Sequence, residues 1–259
     1  VLKNIAVLTM TIDHVTAILY KAYLKSQGVA SLYSSEWYCL GRIIGRIAFV
    51  LYAFMIAEGA VRTKNKVKYA MRLLLLAVIS IIPQSFADTG KLFNPDDLNI
   101  YFLLFLGLIT IYAYDWLKDR IGSNVLSVIC RILLIAASCA VARICHFEYG
   151  LMGIMLIMAF YIFREDLPKM IVAVVIVMSL GYMLNVIAGS GIIFWIKNHS
   201  SNLIPALLNT DKIQIWGLLA LPFICLYNGQ KGRQLPKAFY YLYYPVHLGI
   251  LGLLKMLLF

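Results

Sequence analysis

About nine runs of apolar residues, each near the length of a bilayer crossing, leave this chain few ways to fold. They cover residues 4–23, 39–60, 69–87, 98–114, 124–144, 148–163, 170–192, 213–227 and 238–258. A helix rises about 1.5 Å per residue, so about 20 residues cross the hydrocarbon core. The shorter runs are expected to be tilted, partly re-entrant or interfacial. Composition agrees. Of 259 residues, 62% are apolar and 14% charged, with a mean hydropathy of +0.84; a soluble domain is nearer about 45–50% and about 25%. The expected fold is an all-α, polytopic integral membrane bundle of about nine transmembrane helices, one domain over residues 1–259. The opening run is too long, and too polar at its centre, for a cleaved signal peptide, and is expected to be retained.

Net charge is +11. In a soluble protein that excess would suggest nucleic acid. Here the cations sit in short loops, as the positive-inside rule demands, so no nucleic-acid partner is expected. Counted over nine spans, Lys and Arg concentrate on the side of the N-terminus: Lys3, the loop at 62–68, Lys118, Arg120, Arg164, Lys169, Lys231, Arg233 and Lys237. That bias puts the N-terminus in the cytoplasm of a multi-pass cell-membrane protein, with a bacterial plasma membrane as the expected setting. Anionic membrane lipids are one partner for these charges, and an anionic cofactor is a sharper one. The five cysteines, Cys39, Cys130, Cys139, Cys145 and Cys225, lie mostly in apolar runs without ligand spacing, and no metal is expected.

The polar residues inside the spans carry the functional signal. Asp13 and His14 fall near the middle of the first run. Charge at that depth costs at least ~2.5 kcal/mol, so such residues face a bundle interior, a cavity or a partner. An Asp beside a His is also a means of fixing an imidazole tautomer. Arg42 and Arg46 stand at i and i+4 on one face of the second run; Arg42 is near enough to the end to snorkel, whereas Arg46 is deeper and needs acceptors. Glu58 closes that run. Arg62, Lys64, Lys66, Lys68 and Arg72, with Tyr69 among them, suit either a topology anchor or polyphosphate. No P-loop or dinucleotide fingerprint occurs. Tyr149-Gly150, with Gly153, opens the sixth run and reads as close packing. Asn228, Lys231 and Arg233 mark a basic turn before the last run, which carries Tyr240, Tyr244 and His247. His247 lies at the depth of His14, so the two can meet if the bundle closes.

These blocks resemble the TraX family. The likeness rests on Ile12-Asp13-His14, Arg46 to Phe49, Ala57-Glu58-Gly59, Thr63, Tyr69, Arg72-Leu73 and Ser80 to Pro83. It continues through Tyr149-Gly150 to Gly153, Leu226 to Gly229, and Tyr243 to Leu248. The family resembles, more distantly, acyltransferase family 3 and the heparan glucosaminide acetyltransferases. One departure stands out: Phe49 is followed by Val50, where the family usually has Pro. The resemblance implies a membrane acetyltransferase that takes acetyl-CoA from the cytoplasm and acylates an amine, such as a pilin N-terminus, or a hydroxyl. The acceptor would be a peptide, glycan or lipid, and an oligomer is compatible with the sequence. In that scheme His14, oriented by Asp13, is the base, with Arg46, Tyr244 and His247 completing the catalytic set. Arg42, Glu58, Arg62, Lys64, Lys68, Tyr69, Arg72, Asn228, Lys231 and Arg233 would hold the coenzyme, and Tyr149 and Tyr240 the acceptor. Midplane charges also mark transporters and flippases. Coenzyme A dependence separates the two.

Overall fold

The computed structural model describes residues 1–94, 98–122, 124–190, 212–230 and 236–259. Every described element is helical apart from one isolated bridge, between Leu98 and Phe147. Nine helical rods follow in chain order: α1 (Leu2–Ser26), α2 (Glu36–Arg62), α3 (Lys66–Thr89), α4 (Ile100–Ile121) and α5 (Val125–Ile144), then α6 (Gly150–Ile162) and α7 (Leu167–Ser190), α8 (Gln214–Cys225) and α9 (Lys237–Leu258). Among the described residues six rods, α1 to α5 and α9, are long and apolar enough to cross a membrane, and three shorter apolar ones lie at the remaining runs. The chain is a multi-pass membrane protein.

Local chemistry sets the ends of the rods. Side-chain oxygens of Asn65, Asn99 and Asn124 accept from the backbone N–H of Lys68, Tyr101 and Ser127 at 2.8, 3.1 and 2.9 Å, capping α3, α4 and α5. Gly90 and Gly122, at φ of 76° and 77°, end α3 and α4 in a conformation open to glycine. Ser80 interrupts α3 ahead of Pro83. Within α1, residues Val15–Tyr20 form a π-helical stretch directly after His14.

The core is built around α2, which packs against α1, α4, α6 and α8. Gly41 and Gly45 let α1 approach. A Cβ at Gly41 would overlap the Thr16 side chain, and one at Gly45 the Asp13 carboxylate, so this small-residue spacing works as a helix-approach motif. Gly153 likewise receives Leu103, and Gly107 receives Ile157, which sets α6 against α4. In contrast α5 lies at the edge, with Val128, Ile129, Ile132 and Leu133 exposed.

Among the described residues three hydrogen bonds join the first and last helices: Asn4 with Tyr240, Thr11 with Tyr243 and His14 with His247. Both numbers rise together, so α1 and α9 run parallel. Parallel first and last helices require an odd number of crossings. Asn4 and Tyr240 therefore share one end of the bundle with Arg62, whose Nη1 donates to the Gly229 carbonyl at 2.6 Å. Lys255 donates to the carbonyls of Ala87 and Asp88 at the other end.

Candidate active site

The Asp13 carboxylate belongs to two arginines. Arg42 Nη1 donates to Oδ1 at 2.8 Å; Arg46 Nη2 donates to Oδ1 at 2.9 Å and to Oδ2 at 3.0 Å. Asp13 is 9% exposed and Arg46 5%. Each would be costly alone at this depth, and the pairing satisfies both. The expected Asp13–His14 pair is thus not formed. Consecutive helix positions point about 100° apart, so Asp13 faces α2 while His14 turns toward α9.

There His14 Nδ1 lies 2.6 Å from His247 Nε2, with the rings nearly parallel at 12°. The other nitrogen of His247, Nδ1, is 2.7 Å from the Tyr243 carbonyl oxygen. A carbonyl can only accept, so the His247 proton sits on Nδ1 and its Nε2 is the acceptor. His14 must then donate from Nδ1. That leaves Nε2 of His14 unprotonated, with no hydrogen-bond partner among the described residues. His247 does for this imidazole what the sequence suggested for Asp13. The slab continues outward, since Tyr243 stacks on His247 at 4.9 Å and its hydroxyl meets Thr11 Oγ1 at 2.6 Å.

A narrow cavity of about 40 Å³ adjoins this pair. Asp13, His14, Tyr52, Tyr101, Glu148, Tyr149 and Tyr244 are among its lining residues. Tyr244 sets its ring edge-on to both histidines, at 5.7 and 5.6 Å, and donates its O–H to Gln84 Oε1 at 2.8 Å. Tyr149 stacks on Phe49 with ring centres 3.7 Å apart, and the Arg46 guanidinium stands 5.9 Å from its ring centre. Its φ of 62° is unusual for a residue with a side chain, and such backbone strain, of order 1–3 kcal/mol, persists where surroundings hold it. The Leu98–Phe147 bridge, and the Glu148 N–H donating to Leu98 O at 3.3 Å, do the holding.

Two other expected residues lie elsewhere. Tyr240 bonds to Asn4, about 10 Å along α9 from His247, and does not line the cavity. Arg42 is separated from Arg62 by about 30 Å of α2 and is held by Asp13, so it stands apart from the other residues expected to grip a coenzyme.

At the Asn4 end, Arg62 bridges Glu58 at 2.9 Å, donates to Gly229 O and stands over the Tyr227 ring. Partial burial raises the Tyr227 hydroxyl above its ordinary pKa, with Glu58 adding to the effect. The structure thus joins the basic loop at Arg62 to the distant turn at Tyr227 and Gly229. Lys64, Lys68 and Arg72 are exposed there. Tyr69 sets its ring over Gly59, and Asn228 accepts from the Gln230 N–H in a local turn. Lys231 and Arg233 fall outside the described residues.

Reading the sequence missed Gln84, Tyr52, Tyr101, the Tyr243 carbonyl and the Gly41–Gly45 spacing. The glycine spacing and a lone amide in an apolar run were visible signals; a backbone carbonyl leaves none.

A family model described as TraX protein matches residues 1–255. The chain belongs to the TraX family. It is 30% identical over 263 residues to a probable fimbrial assembly protein FimC, serogroup H1, of Dichelobacter nodosus, a match covering 99% of this chain and 95% of that protein. No solved structure matches.

Proposed function

We propose that this TraX-family protein is a membrane acetyltransferase that moves an acetyl group from acetyl-CoA to an amine or hydroxyl acceptor. The observation that carries the proposal is the histidine pair, in which a half-buried His14 lines a cavity while its Nδ1 is anchored by His247. An unprotonated imidazole nitrogen can take up a proton from a reacting group. It takes the proton of the acceptor's amine or hydroxyl as that group attacks the thioester carbonyl. Arg46, fixed by Asp13 and standing over Tyr149, both of which line the cavity, would balance the developing oxyanion. The coenzyme thiolate then leaves, and the proton returns from His14.

The donor's route is supported by the face of α2. Gly45, Tyr52 and Gly59 follow at seven-residue intervals and so line one side of that helix. Tyr52, Met55, Glu58 and Gly59 are all half-buried. This stripe leads from the cavity to Arg62, Lys64, Lys68 and Arg72. The cavity is too small for a whole coenzyme, but it suits an acetyl group at the tip of a pantetheine arm, with the phosphates held outside by those cations. We take that end to face the cytoplasm. The fimbrial role named for the relative favours a pilin-type peptide N-terminus as the acceptor.

The test is acetyl-CoA binding and thioester hydrolysis by the purified protein, wild type against His14→Ala. Binding by both proteins, with hydrolysis lost only in the variant, is the expected result. Absence of coenzyme binding in both would reject the reaction and favour transport.

A further inference from the structure

The end of the bundle that carries Arg62 holds a second cavity, of about 230 Å³, lined by none of the residues around His14. It lies among the C-terminal turns of α4 and α6 and the second turn of α5. Its lining is charged in both senses: Lys118, Arg131 and Arg164 against Asp115 and Glu165.

Internal contacts use only part of this charge. Arg164 pairs with Glu165 at 3.0 Å and stands over the Tyr161 ring. Tyr161 donates its O–H to Asp115 Oδ1 at 2.5 Å. Arg131 is posed by Nε donating to Ser127 O and Nη1 donating to Tyr114 Oη, both at 3.2 Å, with the guanidinium 4.9 Å over the Tyr114 ring. Three groups have no partner among the described residues: Arg131 Nη2, Lys118 Nζ and Asp115 Oδ2. The pocket therefore offers two cationic donors beside one anionic acceptor. A bare phosphate would meet repulsion from Asp115, and an ammonium alone would meet Arg131. A zwitterion satisfies both signs.

The surroundings identify the carrier of that zwitterion. Arg131 belongs to α5, the rod at the bundle's edge, and Val128, Ile129, Ile132 and Leu133 near it are exposed. Such a face is where acyl chains lie in a membrane, directly below a headgroup at the helix end. We propose that this cavity seats the phosphoethanolamine headgroup of a membrane phospholipid. Arg131 and Lys118 hold the phosphodiester, Asp115 accepts from the ammonium, and the acyl tails follow α5. A choline headgroup has no N–H to give Asp115. A glycerol headgroup has no cation for it.

The experiment is lipid retention by the delipidated full chain in detergent, offered equal amounts of phosphatidylethanolamine, phosphatidylcholine and phosphatidylglycerol, with bound lipid measured by native mass spectrometry. One charge-assisted hydrogen bond sets the scale, so phosphatidylethanolamine is expected to be retained about tenfold over the others. Asp115→Asn should abolish that preference, and Arg131→Gln should lower retention of all three lipids alike. Lys118→Gln, at an exposed position, should lower retention of all three lipids while the preference persists, and keeps the test open if the other variants misfold. Water-soluble glycerophosphoethanolamine should fail to compete, because it lacks tails. Equal or better retention of phosphatidylglycerol, unchanged lipid retention in Lys118→Gln, or full competition by the soluble headgroup would each overturn the proposal.

Discussion

Neighbouring helix positions point about 100° apart, and that angle gives Asp13 and His14 separate partners. Asp13 with Arg42 and Arg46 forms a charged lock between α1 and α2. Removing the shared partner strands a buried charge, so Asp13→Leu, which leaves Arg46 without its carboxylate, should destabilise the detergent-solubilised protein by about 3–5 kcal/mol, read by chemical or thermal unfolding. His14 and His247 form an uncharged lock, and their loss should show in rate more than in stability. On the proposed reaction, His14→Ala lowers kcat by about 10²–10⁴. His247→Phe keeps a ring against Tyr243 but offers no acceptor to His14 Nδ1. It should lower kcat and displace the pH–rate profile while coenzyme binding persists; an unaltered profile would mean that His247 only packs. The sequence exposed these residues well, because buried polar groups in apolar runs stand out. It could not expose who bonds to whom. Asp13 and His14 are adjacent in the chain, and only the position of α2 and α9 separates their roles.

At the scale of elements, hydropathy made the helical runs legible, down to the three short ones. The π-helical stretch after His14 was not legible, because its residues are ordinary helix formers and the irregularity arises where α1 meets α2. Gly45 is the contact on which that meeting depends. Gly45→Ala places a methyl group against the Asp13 carboxylate and should destabilise the bundle by about 1–3 kcal/mol, as overpacking does. Gly249→Ala is the control, since nothing lies within 4 Å of its added Cβ. Comparing the two unfolding midpoints separates helix packing from helix propensity, and equal midpoints would show that α1 does not approach through Gly45.

For the whole molecule, the distribution of Lys and Arg and the contacts between ends give one consistent arrangement. Asn4, Arg62 and Gly229 lie at one end, and Ala87, Asp88 and Lys255 at the other. Single cysteines placed at Lys64 and Lys91 in a cysteine-free background should react with a membrane-impermeant maleimide from opposite faces, Lys64→Cys only after the cells are opened. Labelling of both in intact cells would undo the orientation. The joining of the first helix to the last also bears on how the protein is made. As a ribosome feeds the chain into the membrane, Asp13 finds its arginines as soon as the second helix follows the first. His14 must wait until nearly all of the chain has been synthesised before His247 arrives to fix its proton. On the proposed reaction, a nascent chain that ends between α2 and α9 carries the charge lock but not the partner that poises His14, so it stays inert until it is nearly complete.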